Sequence, residues 1–130
     1  MNYYLIRHLN RLIEPTAGEV RFDGRNILDL GAKALRDFRT HRVSMVFQSF
    51  ALFPWLTVQQ NVELGLEAQG VARTERARRA EAAIDMIGLS GFNSALPREL
   101  SGGMRQRVGI ARALVTRPDL LLMDEAFSAL

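Results

Sequence analysis

The chain has 130 residues, of which 48% are hydrophobic and 24% are charged, so its length and composition suit one modest globular domain. It contains no cysteine, which excludes disulfides and thiolate metal sites. The formal charge is +3, and the 17 basic residues include a single lysine, Lys33, so the basic character comes from arginine.

The first half of the chain predicts short elements and one hairpin. Residues 3–13 predict a helix with leucines on one face, and residues 14–18 predict a turn. Asp23 and Gly24 separate two alternating segments, which is a strong signal for a β-hairpin. The remaining segments predicted here are strands at 19–22 and 25–28, a helix at 32–39 and a buried strand at 43–47.

The second half predicts three helices and a final strand. Thr57 with Gln60 forms a capping box, Thr74 and Ser101 are predicted N-caps, and Gly88 is a predicted helix stop. The corresponding segments are helices at 57–68, 74–87 and 102–115 and a buried strand at 120–123. Strands at both ends of a helical middle indicate an α/β fold with a helical insert.

Neither the N-terminus nor the hydropathy predicts export or membrane insertion. Arg7 and His8 interrupt the first apolar residues too early for a signal peptide. No run approaches the ~20 apolar residues that span a bilayer. We therefore expect a soluble protein or a peripheral partner of another protein.

Arginines cluster at residues 73–79 and again at 105–112, which leaves two interpretations open. Such clusters are usually solvated helix faces, but they also occur in nucleic-acid contact surfaces. Stacking aromatic residues are not interleaved with these arginines, which favours the solvated faces.

Ser101, Gly102 and Gly103 predict an anion site at the start of a helix. The first amides of a helix have no intrahelical partner and carry partial positive charge, and two glycines let a phosphate approach closely. Ser101 adds a hydroxyl donor. The alternative is a plain helix cap with glycines at a tight turn.

Acidic and amide side chains follow two predicted strands. Asp124 and Glu125 end the apolar run Leu-Leu-Leu-Met, at the kind of strand end where α/β proteins bind ligands. Asp124 suits Mg²⁺, and Glu125 suits the polarisation of an attacking water. Gln48, after the strand at 43–47, suits either role, and the alternative for the acidic pair is a strand end without chemistry.

Three motifs together resemble an ATP-binding-cassette (ABC) ATPase. They are Met-Val-Phe-Gln at residues 45–48, Leu-Ser-Gly-Gly-Met-Arg-Gln at 100–106 and Leu-Leu-Met-Asp-Glu-Ala-Phe-Ser-Ala-Leu at 121–130. The resemblance covers nearly the whole chain, and its segments 46–54 and 123–130 look most like the glycine betaine/proline (quaternary amine) importer ATPases. It implies a P-loop NTPase fold in one ABC domain, divided into a core with the hairpin (1–48), a helical subdomain with the signature helix (49–115) and the Walker B strand with the start of the D-loop (116–130).

The resemblance also implies roles for individual residues. Gln48 matches the Q-loop glutamine, Asp124 the Walker B aspartate and Glu125 the catalytic glutamate. Mg²⁺ would be held by Asp124 and Gln48. The signature residues that would contact ATP are Ser101, Gly102, Gly103, Met104 and Gln106, with Met104 where many members have glutamine.

The partners implied by the resemblance are those of an importer. They are a second ABC domain in a homodimer, a transmembrane permease that contacts residues 50–66, and indirectly a solute-binding protein. The implied location is the cytoplasmic side of the membrane, peripherally, and no nucleic-acid partner is expected. The aromatic residues Phe47, Phe50, Phe53 and Trp55 suit a groove for a helix of the permease, and simple packing within the insert is the alternative.

The phosphate-binding motif G-x-x-x-x-G-K-[ST] occurs nowhere in the 130 residues. We therefore expect an incomplete domain that alone neither binds ATP tightly nor hydrolyses it. Two other interpretations remain: a degenerate cassette that pairs only through its signature face, and a DNA-repair type of ABC ATPase. Only about fifty residues, without cysteine, separate Gln48 from Ser101, which favours the transporter.

Overall fold

The structure is a computed structural model that describes residues 18–46 and 52–123. Two strand pairs and a short helix form one side of the molecule, and three longer helices form the other. The predicted helix at 3–13 lies outside the described residues.

The predicted hairpin is confirmed, but its second strand is shorter than expected. Strands β1 (Arg21–Phe22) and β2 (Arg25–Asn26) pair antiparallel around Asp23 and Gly24, both of which have positive φ as a tight hairpin turn requires. The strand predicted to 28 ends at Asn26, because its side chain accepts the Leu28 amide at 3.1 Å and caps a 3₁₀ turn, Ile27–Asp29.

The next segment leads into the strand that organises this side of the molecule. Helix α1 (Ala32–Asp37) continues into a π-helical turn, Phe38–Arg42, and then into β3 (Val43–Val46). Strand β3 pairs parallel with β4 (Leu120–Met123). Ile27, Phe38, Val43 and Leu122 are buried together and form the core here.

The helices of the second side are α2 (Val58–Ala68), α3 (Arg73–Met86) and α4 (Gly102–Leu114). The capping box at Thr57 and Gln60 is confirmed, as is the Ser101 N-cap of α4. Their shared core contains Val58, Val62, Leu66, Ala80, Ala83, Ile84, Leu89, Leu100, Val108, Ala111 and Val115.

The predicted Thr74 cap is wrong, because α3 begins at Arg73 with Ala72 as its N-cap. The end of α2 explains the shift. The Gly70 amide donates to the Glu67 carbonyl and the next amide to the carbonyl of Leu66, which is the hydrogen-bond pattern of a Schellman motif. This turn leaves Ala72 as the last extended residue before the helix.

The same motif ends α3, where the prediction of a stop at Gly88 is confirmed. Gly88 has a φ of +77°, its amide donates to Asp85, and the Leu89 amide donates to Ile84. Leu89 is buried in the helical core, so the turn also closes that core.

Gln69 and Thr116 join the two sides. The Gln69 side-chain amide donates to the carbonyls of Thr40 at 3.1 Å and Thr116 at 3.2 Å. The hydroxyls of Ser44 and Thr116 lie 3.1 Å apart. These bonds attach the end of α2 to the segments that lead into β3 and β4. Within the described ranges, no helix is long and apolar enough to cross a membrane.

Candidate nucleotide-phosphate site

A short turn with two buried anchors positions the start of α4. Pro97 begins a 3₁₀ turn, Pro97–Glu99, and Leu100 enters the helical core with 5% of its surface exposed. The Glu99 carboxylate accepts the Leu96 amide at 3.1 Å, and Leu100 donates to the Pro97 carbonyl. The residue that follows, Ser101, is therefore fixed from its N-terminal side.

Ser101 accepts hydrogen bonds from some of the backbone amides at the start of α4, and the first two amides of the helix have no partner within it. Its Oγ accepts the Met104 amide at 3.1 Å, and its carbonyl accepts the Arg105 amide at 3.0 Å. The amides of Gly102 and Gly103 are the first two of the helix, so no carbonyl of α4 reaches them. The hydroxyl proton of Ser101 also stays available to a ligand, because the cap uses only its oxygen as an acceptor.

The two glycines leave this backbone sterically open. Gly102 and Gly103 are both exposed, and a Cβ built on either one would meet no atom within 4 Å. An anion can therefore approach both amides, with the partial positive charge of a 13-residue helix behind them. The residues present fit a phosphate group of a nucleotide.

The other two predicted signature residues face inward. Met104 is half-buried and packs against the helical core, and Gln106 is buried with 8% of its surface exposed. Of the five residues predicted to contact ATP, the exposed ones are thus Ser101, Gly102 and Gly103.

The parallel strands that precede Gln48 and Asp124 in the sequence are neighbours. Val43 pairs with Leu120 and Val46 with Met123, so β3 and β4 end side by side. Gln48 follows the first end by two residues. Asp124 and Glu125 follow the second end directly, and all three lie outside the described residues. In the described part of the chain, no three histidine, aspartate or glutamate residues are grouped to hold a metal ion.

The arginine clusters join elements of the helical side to one another, which neither sequence interpretation anticipated. Arg79 donates to the Val115 carbonyl at 2.6 Å, and Arg107 donates to that of Ile87 at 3.4 Å. Arg76 lies 3.5 Å from the Glu63 carboxylate, with both side chains largely buried. Burial lowers the pKa of the Arg112 guanidinium.

An aromatic segment precedes α2, and sequence reasoning missed the residue that holds it. Phe53 and Trp55 form an edge-to-face pair with ring centroids 5.3 Å apart, and Trp55 is 70% exposed. Asn61 is fully buried on α2 and bonds to the backbone of this segment. The sequence held a sign of this role, because Asn61 falls on the apolar stripe of α2 with Val58 and Val62. A polar side chain buried there needs a hydrogen-bond partner.

The comparisons with known proteins agree with this architecture. A family model described as ABC transporter matches residues 4–128. The chain is 56% identical over 126 residues to the glycine betaine transport ATP-binding protein OpuAA of Bacillus subtilis. The aligned segment covers 97% of this chain and 30% of that protein. It is 54% identical over 126 residues to the glycine betaine/proline betaine transport system ATP-binding protein ProV of Salmonella typhimurium, covering 97% of this chain and 32% of the relative. The chain thus spans about a third of the length of these relatives.

The solved structures carry the same fold. A dimeric ATP-binding cassette, MJ0796, in a post-hydrolysis state bound to ADP and Pi, has a TM-score of 0.85 and 38% sequence identity, covering 98% of this chain and 56% of that one. The predicted α/β P-loop NTPase fold with parallel core strands and a helical insert is therefore confirmed. By its motifs, its fold and the match over residues 4–128, the chain belongs to the ABC transporter family.

Proposed function

We propose that the chain forms part of the ATP-binding, ATP-hydrolysing subunit of an importer for glycine betaine, proline betaine or a related quaternary amine. The proposal is supported by identities of 52–56% to ATP-binding proteins that are named for glycine betaine transport. The three highest of these identities, 53–56%, exceed those of the nitrate import ATP-binding protein NrtD of Synechocystis, at 48%, and of the methionine import ATP-binding protein MetN of Staphylococcus haemolyticus, at 52%.

The start of α4 is the observation that carries the proposal. Ser101, Gly102 and Gly103 form an exposed helix terminus whose first two amides have no partner within α4, and among the described residues a Cβ at either glycine would meet no atom within 4 Å. In the proposed function, this terminus contacts the γ-phosphate of an ATP that a second ABC domain holds. The charge on the phosphate complements the helix terminus, and the hydroxyl of Ser101 adds a donor.

Hydrolysis is assigned to residues beyond the ends of β3 and β4. Asp124 and Gln48 would hold Mg²⁺, which supplies positive charge beside the phosphates when bound. Glu125 orients the attacking water and accepts its proton. The parallel register of β3 and β4 supports this assignment, because it places the two strand ends that precede these residues next to each other.

The membrane partner is assigned to residues 50–66. The described part of that region includes the exposed rings of Phe53 and Trp55 and all but the last two residues of α2. An exposed aromatic pair is typical of a contact surface. In the proposed assembly, a transmembrane permease contacts this surface from the membrane, the subunit is peripheral on the cytoplasmic side, and a solute-binding protein acts indirectly through the permease.

A chimera tests the proposal. Residues 4–128 replace the matching segment of the Bacillus subtilis OpuAA protein, and ATP hydrolysis and glycine betaine uptake are measured with that relative's transporter partners. We expect both activities to be retained. A chimera that folds and binds ATP but supports no uptake would contradict the importer assignment.

Ser101→Asp separates the phosphate role of this residue from its structural role. Aspartate is a good N-cap, so we expect the melting temperature of the chimera to be unchanged. Its negative charge repels a phosphate, so we expect ATP turnover to fall by about 10²-fold or more. Ser101→Thr is the matched control, because it keeps both the cap and the hydroxyl. Undiminished turnover in Ser101→Asp, or in Glu125→Gln, would refute the role given to that residue.

A further inference from the structure

The aromatic pair before α2 is held in place by contacts that are independent of the pair itself. Phe53 and Trp55 lie on a segment with no regular secondary structure. The exposed fractions of these two residues are 40% and 70%. The Leu56 amide donates to the Phe53 carbonyl at 3.1 Å and closes a tight turn around Pro54 and Trp55. A surface turn with two exposed rings needs a further attachment if it is to keep one shape.

Asn61 provides that attachment from inside α2. Its Oδ1 accepts the Phe53 amide at 2.9 Å. The two protons of its Nδ2 are shared among three carbonyls, those of Phe53 at 3.2 Å, Leu56 at 3.1 Å and Thr57 at 3.0 Å. The side chain has none of its surface exposed, so these bonds do not compete with water.

The start of α2 is already fixed without Asn61. Thr57 Oγ1 accepts the Gln60 amide at 3.2 Å, and the Gln60 side chain accepts the Thr57 amide at 2.9 Å. An apolar residue at position 61 would extend the stripe of Val58 and Val62 without the cost of burying an amide. The bonds of Asn61 go mainly to the aromatic turn, which points to a role in the shape of that turn.

We propose that Asn61 is a positioning residue that holds the Phe53–Trp55 pair ready for the transmembrane permease. The inference rests on the proposed function, in which residues 50–66 contact that partner. A turn that is ordered before binding loses less conformational entropy on docking than a mobile one. Replacement of Asn61 therefore weakens permease binding, although Phe53 and Trp55 themselves are still present.

The first experiment uses the unaltered 130-residue chain and its Asn61→Asp variant. Aspartate has the size of asparagine but lacks both N–H donors: its carboxylate sets an oxygen against three carbonyls, and a protonated carboxyl offers only one donor for the three. Trp55 is the only tryptophan of the chain, so the near-ultraviolet circular dichroism of tryptophan and its fluorescence anisotropy report on this turn alone. We expect both signals to fall in Asn61→Asp at unchanged far-ultraviolet circular dichroism.

The matched control is Asn93→Asp. The Asn93 side-chain amide donates to Oε1 of Gln59, a residue of α2, at 3.2 Å, and the substitution removes this bond. We expect this control to keep the Trp55 signals. Unchanged Trp55 signals in a folded Asn61→Asp variant would overturn the inference.

A second measurement needs no variant that might fail to fold. In the unaltered chain, the side-chain amide protons of Asn61 should exchange with solvent more slowly than those of Asn93, as read by nuclear magnetic resonance. Asn61 is fully buried, whereas Asn93 is only partly buried. Equal or faster exchange at Asn61 would overturn the attachment of the turn.

The partner is tested with the chimera and membranes that contain the permease of the Bacillus subtilis relative. We expect Asn61→Asp to reduce binding of the chimera to these membranes, and Asn93→Asp to leave it unchanged. Equal binding by Asn61→Asp would refute the positioning role alone. Failure of the unaltered chimera to bind would refute the permease as partner, and with it that part of the proposed function.

Discussion

The helical side and the strand side of the molecule are stabilised in different ways. In the described residues, eleven buried side chains form the core of α2, α3 and α4, whereas the core beside β3 and β4 has four. The helices are also closed locally, by N-caps at Thr57 and Ser101 and by glycine turns at Gly70 and Gly88.

The strand side instead depends on a long connection. Val43 pairs with Leu120, so this parallel pair closes a loop that contains all three helices of the other side. Closing so long a loop costs conformational entropy before any contact offsets it. The comparison indicates that the helical side supplies the stability on which the ends of β3 and β4 depend. The predictions that follow test this dependence from the largest expected effect to the smallest.

Leu66→Ala removes the centre of the helical core. Leu66 on α2 is fully buried, so we expect the free energy of unfolding to fall by about 2–5 kcal/mol. Since the strand side depends on the helical side, probes on both sides should lose structure in one transition. Chemical denaturation followed by the fluorescence of Trp55 measures the helical side, and hydrogen exchange at β3 and β4 over the same denaturant range measures the strand side.

The control for this prediction is Leu114→Ala, the same chemical change at a residue that is 39% exposed. We expect a much smaller loss, below about 1 kcal/mol, because less apolar surface is removed from the interior. A strand side that survives Leu66→Ala with native exchange protection at β3 and β4 would contradict the dependence.

Gly65→Ala tests the packing at the junction between the two sides. A Cβ at Gly65 would lie 2.4 Å from Cγ2 of Thr116, and the Thr116 hydroxyl is held by Ser44 and by the Ala113 carbonyl. The methyl group cannot turn away without breaking those bonds, so we expect a destabilisation of about 1–3 kcal/mol in thermal or chemical unfolding.

The second substitution Thr116→Ser tests the cause of that effect. Serine keeps the hydroxyl but lacks the methyl group that the new Cβ would meet. The double variant should recover the loss and gain up to about 1 kcal/mol from the higher helix propensity of alanine at position 65. No recovery in the double variant would show that the methyl contact is not the reason.

The sequence predicted most of the fold where the signals are local. The hairpin at Asp23 and Gly24, the capping box at Thr57 and the Ser101 cap each depend on residues within four positions of one another, and the structure confirms them. The parallel strands were predicted individually from apolar runs and from the resemblance. Their register depends on packing between distant segments, which no local pattern encodes.

The misses concern contacts that residue type alone does not specify. Thr74 was predicted as a cap because of its residue type, but the N-cap of α3 is Ala72, two residues earlier, directly after the glycine turn that ends α2. Asn61 bonds to the backbone of a turn up to eight residues earlier, and Arg79 bonds to the carbonyl of Val115, 36 residues later. Of the candidate site, the start of α4 was predictable from Ser101, Gly102 and Gly103, and the roles of Gln48, Asp124 and Glu125 stay predictions.

Thr57→Ala and Thr74→Ala measure the strength of local signals on the helical side. Thr57 caps α2 in a reciprocal capping box, so its loss should cost about 1 kcal/mol in the free energy of unfolding. Thr74 lies inside α3, where alanine is a better helix former, so its replacement should be neutral or slightly stabilising. An equal loss in the free energy of unfolding for Thr74→Ala and Thr57→Ala would mean that Thr74 is a cap after all, as the sequence predicted.

The smallest expected effect concerns an exposed ion pair on α3. Arg78 Nε donates to Glu75 Oε2 at 2.8 Å, and this hydrogen bond lowers the pKa of the Glu75 carboxyl below its usual 4.5. The unfolded chain therefore binds a proton at Glu75 at higher pH than the folded protein does. The stabilisation is present above pH 4.5 and is lost as the pH falls through the lower pKa of the folded state.

Glu75→Gln removes this pH dependence, so the variant should melt slightly below the unaltered protein at pH 7 and equally with it in acid. The difference should be small, since the pair is exposed and screened by solvent. Glu81→Gln, at an exposed glutamate of the same helix, controls for the loss of one negative charge. A melting difference for Glu75→Gln that persists unchanged in acid would assign it to helix propensity instead of the ion pair. In that case the Glu75–Arg78 pair would add nothing to the stability of the helical side.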